Sequence, residues 1–286
     1  MRIAHISDLH FGKVTLSPLQ FFSKRWLGNL NLFFHRKHEY KRELLAPLAG
    51  LFKELEVDLV VISGDLTTTS LPEEFEMAVE FIRSLKKEGI EVVAIPGNHD
   101  HYTKAAYRQR LFYDYFPAKF SDVPLNLKEH GIAVKELKDG WFLIALDTAL
   151  ATSPISSRGN FSCEIENALN ETLGRLPPNS SVILVNHFPF FDVDGPRKAL
   201  MRSSFLRELL MKNPAIKFYL NGHTHRHAIA DLRPSGLPIM LDSGSSSHQK
   251  HGAWNLIEIQ GNSCEIEPFF WKNSAWQPQE KRRVQL

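Results

Sequence analysis

The sequence has little cysteine and no long apolar run. It contains 286 residues but only two cysteines, Cys163 and Cys264, which are too few for the disulfide framework of a small secreted protein. We therefore expect two reduced thiols in a cytoplasmic protein, with a single bridge as the alternative. No uninterrupted apolar stretch reaches the roughly 18–20 residues that a membrane-spanning helix needs. The chain starts directly with a strand-like stretch, MRIAHIS, which predicts no cleavable signal peptide.

An excess of charge of one sign is also absent. The formal net charge is +2, which is too small to indicate a nucleic-acid partner through bulk electrostatics. No internal repeat or low-complexity linker divides the chain, and 43% of the residues are hydrophobic. This composition predicts one globular domain over residues 1–286 with a sizeable core.

Five short apolar runs each end in residues that can bind a metal ion. Runs of this length bounded by turn signals are typical of buried strands. The seven residues at their ends are Asp8 and His10, Asp65, Asn98, His187, and His223 and His225, and His99 follows Asn98 directly. In α/β sheets the loops beyond the carboxyl ends of the strands form the ligand crevice. The pattern therefore predicts a metal site that several strands build together.

Helical and antiparallel patterns complete the predicted fold. An apolar stripe begins at Pro72 and ends at Gly89, and helices are also predicted over 39–53 and 102–116. After residue 238, short strands follow one another with glycine punctuation, as in antiparallel sheet. We expect an α/β fold of two packed mixed sheets with helices outside, and a loose C-terminal tail from about residue 276.

The residue types at the strand ends indicate transition-metal chemistry. At the end of an extended strand alternate residues face the same way, so Asp8 and His10 can reach one ion, and the same argument applies to His223 and His225. Imidazole with carboxylate suits Zn²⁺, Mn²⁺ or Fe rather than Ca²⁺. Seven candidate ligands exceed the needs of one catalytic ion, so two ions sharing a carboxylate are expected. Phosphoester hydrolysis is the chemistry that such a centre fits best.

The ordered set D-x-H, G-D, G-N-H-D, N-H and G-H-T-H, from Asp8 to His225, resembles the calcineurin-like metallophosphoesterase superfamily. The resemblance implies a β-sandwich of two sheets flanked by helices. It implies one ion bound by Asp8, His10 and His225. It implies a second ion bound by Asn98, His187 and His223, with Asp65 bridging the two.

The resemblance also implies a mechanism. A hydroxide that bridges the metals would attack phosphorus in line, while Asn98 steadies the phosphoryl oxygens. His99 would protonate the leaving oxygen or stabilise charge there. The implied cofactors are two divalent or mixed-valence ions, Mn²⁺ or Fe first and Zn²⁺ as the alternative.

Departures from the motifs of the protein-phosphatase branch narrow the range of expected substrates. Asp65 is followed by Leu66 and three threonines rather than x-x-D-R-G, and Asp100 stands where those enzymes have Glu. The blocks are closer to bacterial phosphodiesterase-like members, which implies a small anionic phosphodiester such as a cyclic nucleotide. A metal-inactive scaffold that binds proteins is an alternative from another class; lost ligands would mark it, and every ligand is present.

An aromatic and basic insertion at about 18–42 keeps a third interpretation open. Its aromatic and leucine residues recur at helical spacing and basic residues surround them, as in helices that lie at a membrane surface. The segment either caps the pocket or contacts lipid at the inner membrane face. Under the second interpretation the enzyme resembles pyrophosphatases that act on a nucleotide-linked lipid of the UDP-diacylglucosamine type.

Overall fold

A computed structural model describes residues 1–13, 39–121, 123–153 and 156–286 of the chain. The larger part of the aromatic and basic insertion at 18–42 therefore lies outside the described residues, and so does the choice between a pocket cap and a membrane contact. None of the helices in the described ranges is long and apolar enough to cross a membrane.

The first sheet combines parallel and antiparallel strands. Its parallel part is β1, β2 and β3, at Arg2–Ile6, Leu59–Ile62 and Glu91–Ala94. Its antiparallel part is β12, β13, β14 and β15, at Ala253–Gln260, Ser263–Lys272, Ala275–Pro278 and Arg282–Gln285. Strand β1 joins the two parts because it pairs with both β2 and β12.

The second sheet has the order β10-β11-β9-β7-β5-β4. Its four parallel strands are β5, β7, β9 and β11, at Trp141–Leu146, Ser181–Val185, Ile216–Asn221 and Ile239–Ser243. Antiparallel strands close its edges: β4 at Ile132–Glu136 and β10 at His227–Asp231. A separate parallel pair is β6 at Gly159–Asn160 and β8 at Leu200–Met201.

Seven α-helices lie within the described ranges. They are α1 Leu48–Glu54, α2 Pro72–Lys87, α3 Lys104–Gln109, α4 Phe112–Tyr115, α5 Leu127–His130, α6 Cys163–Arg175 and α7 Ser203–Lys212. The sequence of helix α2 explains where it begins, which face it buries and where it ends. Pro72 occupies the first turn, and Phe75, Ala78 and Ile82 form its buried stripe. Gly89, at φ +81°, follows its end.

Alternation along the strands divides the core into layers. In β2, Leu59 and Val61 pack between the two sheets, whereas Val60 and Ile62 pack under the helices of the outer face. A further apolar layer lies between the second sheet and helices α6 and α7. The predicted architecture of two packed mixed sheets flanked by helices is therefore confirmed.

The prediction of a loose tail from about residue 276 is wrong. Strands β14 and β15 both pair with β13, and the Trp276 side chain is buried with its Nε1–H donating to the carbonyl oxygen of Leu44 at 2.8 Å. The basic residues Arg282 and Arg283 belong to an exposed edge strand, and charged edge strands discourage pairing with other chains. A charged edge strand and a loose tail have similar compositions, which explains the error.

Two predicted helices also differ from the structure. The helix expected over 102–116 is broken into α3 and α4 because Arg110 adopts the left-handed conformation between them. The helix expected over 39–53 forms as a 3₁₀ turn at Arg42–Leu44 followed by α1.

Candidate metal centre

The predicted ligands come from the carboxyl ends of strands in both sheets. Those after β1, β2 and β3 are Asp8, His10, Asp65 and Asn98, and those after β7 and β9 are His187, His223 and His225. The two sheets bring these ends to one place. The prediction that the strand ends meet at one place therefore agrees with the geometry.

One group of ligand atoms surrounds Asp8. Its Oδ1 atom lies 3.0 Å from Nε2 of His225 and 3.6 Å from Nε2 of His10. The two Nε2 atoms lie 3.1 Å apart. One ligand atom each from Asp8, His10, Asp65 and His225 lies within 4.8 Å of the others. The side chains of Asp8, His10 and His225 thus converge, and the carboxylate of Asp65 lies beside them.

A second group lies on the other side of Asp65. Nε2 of His187 is 3.4 Å from Oδ2 of Asp65 and 3.3 Å from Oδ1 of Asn98. Nδ1 of His223 is 2.9 Å from the same amide oxygen. The structure therefore brings together all seven residues that the sequence selects, as two groups of three with Asp65 between them.

His99 lies next to both groups. Its backbone N–H donates to Oδ1 of Asp65 at 2.7 Å, and its Nδ1 lies 2.6 Å from the carbonyl oxygen of Thr68. Because a carbonyl oxygen can only accept a hydrogen bond, Nδ1 is the ring nitrogen that donates its proton to Thr68. The His99 ring lies edge-on to His10, with centroids 5.0 Å apart, and stacks on Tyr102. This half-buried imidazole thus lies beside His10 and is tied to Asp65 through its own backbone.

Burial holds several of these groups in metal-binding forms. It lowers the pKa of His10 well below its ordinary value, and His225 and His99 add to the effect. It lowers the pKa of His223 to about 3, assisted by His187. Burial opposes the ionisation of Asp8, but His225 outweighs it and lowers the carboxyl pKa to about 2. Neutral imidazole and ionised carboxylate are the forms that ligate metals.

The His187–Asp65 pair behaves differently. Burial acts to lower the pKa of His187, but the Asp65 carboxylate outweighs it and raises the pKa to about 9. Burial opposes the ionisation of Asp65, but His187, His99 and His10 together outweigh it and hold the carboxyl pKa well below its ordinary value. Metal binding to His187 must therefore release a proton.

Five of the seven candidate ligands have left-handed backbones. The φ angles are +55° for Asp8, +47° for His10, +53° for Asp65, +71° for His223 and +57° for His225. Each such non-glycine residue costs of order 1–3 kcal/mol, and this strain concentrates at functional sites. The extended-strand argument for Asp8 with His10, and for His223 with His225, is therefore wrong. Tight turns, not alternation, bring these side chains together.

Two glycines allow the loops to approach closely. A Cβ added to Gly97 would lie 2.2 Å from Oδ1 of Asp65, and one added to Gly222 would lie 2.0 Å from Oγ of Ser7 and 2.4 Å from Oδ2 of Asp8. The glycine of G-N-H-D and the glycine of G-H-T-H are thus required by packing against the candidate ligands.

Asp100 joins two of the ligand loops. Its carboxylate accepts backbone N–H bonds from Leu66, Thr67 and Gly97 at 2.8–3.1 Å. Burial first, and then the charge of Asp65, raise the pKa of Asp100 to about 7. The sequence shows Asp100 only as a departure from another branch, and the hydrogen-bond pattern assigns it a structural task.

Asp242 supports the G-H-T-H turn. It accepts hydrogen bonds from Asn221, Thr224 and Gly244 at 2.7–3.0 Å. No motif marks this residue in the sequence. Its place at the end of β11, beside β9, is the only signal that could have found it.

The histidines that carry no motif have other partners. Buried His5 lies 2.9 Å from Oγ of Ser63, and buried His101 pairs with Asp147. Nε2 of His227 lies 2.7 Å from the amide oxygen of Asn255. His248 and His251 stack on each other near Tyr40. The contacts of His5, His101 and His227 are therefore packing contacts inside the protein and do not involve the candidate centre.

The donor set fits metal ions. Oδ1 of Asp8 is buried and has no hydrogen-bond partner among the described residues, although an unsatisfied buried carboxylate oxygen is costly. Two imidazole nitrogens point at the same space. A cation in this space would satisfy all three atoms. Nitrogen and oxygen donors of this kind suit Mn²⁺, Fe or Zn²⁺.

Several known proteins are similar to this chain in sequence. A family model described as "Calcineurin-like phosphoesterase" matches residues 1–227. The DNA double-strand break repair protein Mre11 of Methanopyrus kandleri is 31% identical over 102 residues, which cover 35% of this chain and 19% of that protein. A 3',5'-cyclic-nucleotide phosphodiesterase of Nostoc sp. is 26% identical over 174 residues, which cover 60% of this chain and 57% of that protein.

A solved structure shows the same fold. The dimetal phosphatase from Danio rerio superposes with a TM-score of 0.68 at 13% identity, covering 99% of this chain and 98% of that one. The chain spans less than two thirds of the length of the first curated relatives that it matches.

Proposed function

The chain belongs to the calcineurin-like phosphoesterase family, and on this premise we propose that it hydrolyses phosphoric esters, in particular a phosphodiester such as a cyclic nucleotide. The observation that carries the proposal is the arrangement of two three-residue groups on either side of Asp65. Relatives named as cyclic-nucleotide phosphodiesterases, from Nostoc sp. and Synechococcus sp., support the substrate class.

We assign the ions to the two groups as follows. Asp8, His10 and His225 would hold one ion, and Asn98, His187 and His223 would hold the other. Asp65, which lies between the two groups, would be shared by both. Mn²⁺ and Fe are the first candidates and Zn²⁺ is the alternative, because imidazole and carboxylate donors suit all three. Two bound ions supply activation of water and neutralise charge at the phosphoryl group during in-line displacement.

Side chains of the protein supply the rest of the chemistry. His99 donates its Nδ1–H to the carbonyl oxygen of Thr68, so Nε2 is the nitrogen that would give a proton to the leaving oxygen when both ring nitrogens are protonated. Proton transfer by a positioned histidine contributes typically about 10²–10⁴-fold. The amide of Asn98 lies between His187 and His223, where it can steady a phosphoryl oxygen.

The proposal includes a small anionic substrate and a cytoplasmic location. Neither cysteine of the pair forms a disulfide: Cys163 is exposed and Cys264 is buried, and both are free. Free thiols are typical of a reducing compartment. The net charge of +2 gives little support to nucleic acid as a partner. We propose no membrane contact from the described residues.

The test is hydrolysis by protein that is first stripped of metal with a chelator and then reloaded with Mn²⁺. Bis-p-nitrophenyl phosphate and p-nitrophenyl phosphate are compared first, followed by cyclic nucleotides, a nucleotide-linked lipid pyrophosphate and duplex DNA. The proposal predicts activity that Mn²⁺ restores, that prefers the diester and that extends to a cyclic nucleotide. Preference for the lipid pyrophosphate or for DNA would reject the substrate class, and no restored activity on any substrate would reject the enzyme assignment.

A further inference from the structure

Tyr40 contacts the candidate centre although no motif includes it. Its hydroxyl lies 2.8 Å from Nδ1 of His225, which is 185 residues away in sequence. Its ring also lies against His10, with centroids 4.5 Å apart. Tyr40 therefore touches two of the three residues assigned to one ion.

The backbone holds Tyr40 in this position. It forms an antiparallel bridge with His248. On either side of that bridge, the N–H of Lys41 donates to the carbonyl oxygen of Ser247 at 2.9 Å, and the N–H of Gln249 donates to that of Glu39 at 2.7 Å. Ser247 also donates through its hydroxyl to the carbonyl oxygen of Asp8 at 3.2 Å. The loop that fixes Tyr40 is thus attached to the ligand loop after β1.

The two nitrogens of His225 face different partners. Nε2 faces Oδ1 of Asp8 and Nε2 of His10, and Nδ1 faces the Tyr40 hydroxyl. An imidazole that ligates through Nε2 carries its proton on Nδ1, and the partner of that proton sets the tautomer and the ring orientation. The hydroxyl oxygen of Tyr40 can accept a hydrogen bond from this Nδ1–H.

We propose that Tyr40 is a positioning residue whose hydroxyl oxygen accepts a hydrogen bond from Nδ1–H of His225 and thereby sets the affinity of the ion that Asp8, His10 and His225 would hold. The inference rests on the proposed function, because it requires His225 to be a ligand. The second group is positioned differently, since backbone carbonyl oxygens lie at the outer nitrogens of its histidines: that of Ser63 at His187 and that of Lys198 at His223. Among these three histidines, only the His225 contact with Tyr40 can be removed by changing a side chain.

The test replaces Tyr40 with phenylalanine in the full chain. Tyr40→Phe keeps the ring against His10 and removes only the hydroxyl. Titration of metal-free protein with Mn²⁺ should show one dissociation constant raised about 10–100-fold and the other unchanged, since loss of an outer partner of a ligand has effects of this size. At saturating Mn²⁺ the substrate KM should be unchanged. In Zn²⁺-loaded protein the NMR signal of the His225 Nδ1 proton should move.

Two controls separate positioning from general damage. Tyr115→Phe removes a hydroxyl from a ring that stacks on Phe75 away from the centre, and it should change neither constant. In a His225→Ala background, Tyr40→Phe should have no further effect, because the two changes act through one contact.

The outcomes distinguish this inference from the proposed function. Unchanged constants in Tyr40→Phe, or an equal weakening of both, would overturn the inference while leaving the function intact. A wild-type chain that binds none of Mn²⁺, Fe and Zn²⁺ would overturn both.

Discussion

The backbone N–H of His99 donates a 2.7 Å hydrogen bond to Oδ1 of Asp65. This bond ties the candidate proton donor to the candidate bridging carboxylate through the main chain rather than through the imidazole. The other oxygen of Asp65 lies 3.4 Å from Nε2 of His187. A change in the His99 side chain should therefore leave the ligands in place, whereas a change at Asp65 should affect both groups.

His99→Ala should separate metal binding from turnover. The backbone bond to Asp65 is kept, so two ions per chain should still bind. The rate should fall about 10²–10⁴-fold, because a positioned proton donor is lost. Metal analysis and steady-state kinetics on the diester measure the two effects. His130→Ala, at the end of α5, is the control and should keep the wild-type rate; an unchanged rate in His99→Ala would exclude His99 from catalysis.

Asp65→Asn should remove the shared ligand while keeping its shape. The asparagine oxygen can still accept the His99 N–H, but the charge that faces His187 is lost. We expect fewer than two ions per chain and a fall in diester turnover of at least about 100-fold. Loss of a residue that only hydrogen-bonds to a metal ligand already lowers metal affinity or activity about 10–100-fold, and Asp65 is proposed to be a ligand itself. Asp231→Asn removes an exposed charge that pairs with Arg233 and should change neither quantity. Full activity with normal metal content in Asp65→Asn would reject the bridging assignment.

Gly97→Ala tests the close approach of two ligand loops. The new Cβ would lie 2.2 Å from Oδ1 of Asp65, so the loop or the carboxylate must shift. Overpacking of this kind costs about 1–3 kcal/mol, and metal binding should weaken with it. Gly174→Ala is the matched control. Gly174 lies in α6 and an added Cβ meets no atom within 4 Å, so the free energy of unfolding should rise by up to about 1 kcal/mol.

Denaturant unfolding of both glycine variants, with and without Mn²⁺, measures these effects. Equal stability and equal metal affinity in Gly97→Ala and wild type would contradict the packing that the structure shows.

Because His5 is buried, we expect the free energy of unfolding to depend on pH. Burial, with His227 adding, lowers its pKa from 6.5 to about 3. Between these values the unfolded chain binds a proton that the folded chain does not, so stability is lost as the pH falls below 6.5. At about pH 5.5 the loss should be about 1.4 kcal/mol relative to neutral pH.

The measurement compares wild type with His5→Asn in the presence of a chelator. The variant loses the contact of His5 with Ser63 and should be less stable at neutral pH. Its deficit should shrink as the pH falls, because it lacks the unfavourable titration. A deficit that is independent of pH would show that His5 titrates normally in the folded protein.

Periodic patterns made much of the fold predictable from sequence. Alternation in β2 places Leu59 and Val61 on one face and Val60 and Ile62 on the other, and the stripe of α2 is equally plain. The five strand ends selected the candidate ligands because parallel strands present their carboxyl ends at one edge of a sheet.

Features that depend on distant partners were not predictable. The break at Arg110 and the left-handed ligands from Asp8 to His225 are local backbone choices that tertiary contacts impose on ordinary residues. Tyr40 and Asp242 carry no motif, and only the pairing of distant segments brings them to the centre. The paired tail, with Arg282 and Arg283 in β15, was missed because an exposed edge strand has the composition of a loop.

The most direct test of the central claim, that Asp65 joins two metal ions, is titration of chelator-treated protein with Mn²⁺, followed by electron paramagnetic resonance. We expect two Mn²⁺ per chain and a spectrum of two exchange-coupled ions, which Asp65→Asn converts to that of an isolated ion. A single Mn²⁺ per chain, or two ions without magnetic coupling in the wild-type protein, would contradict it.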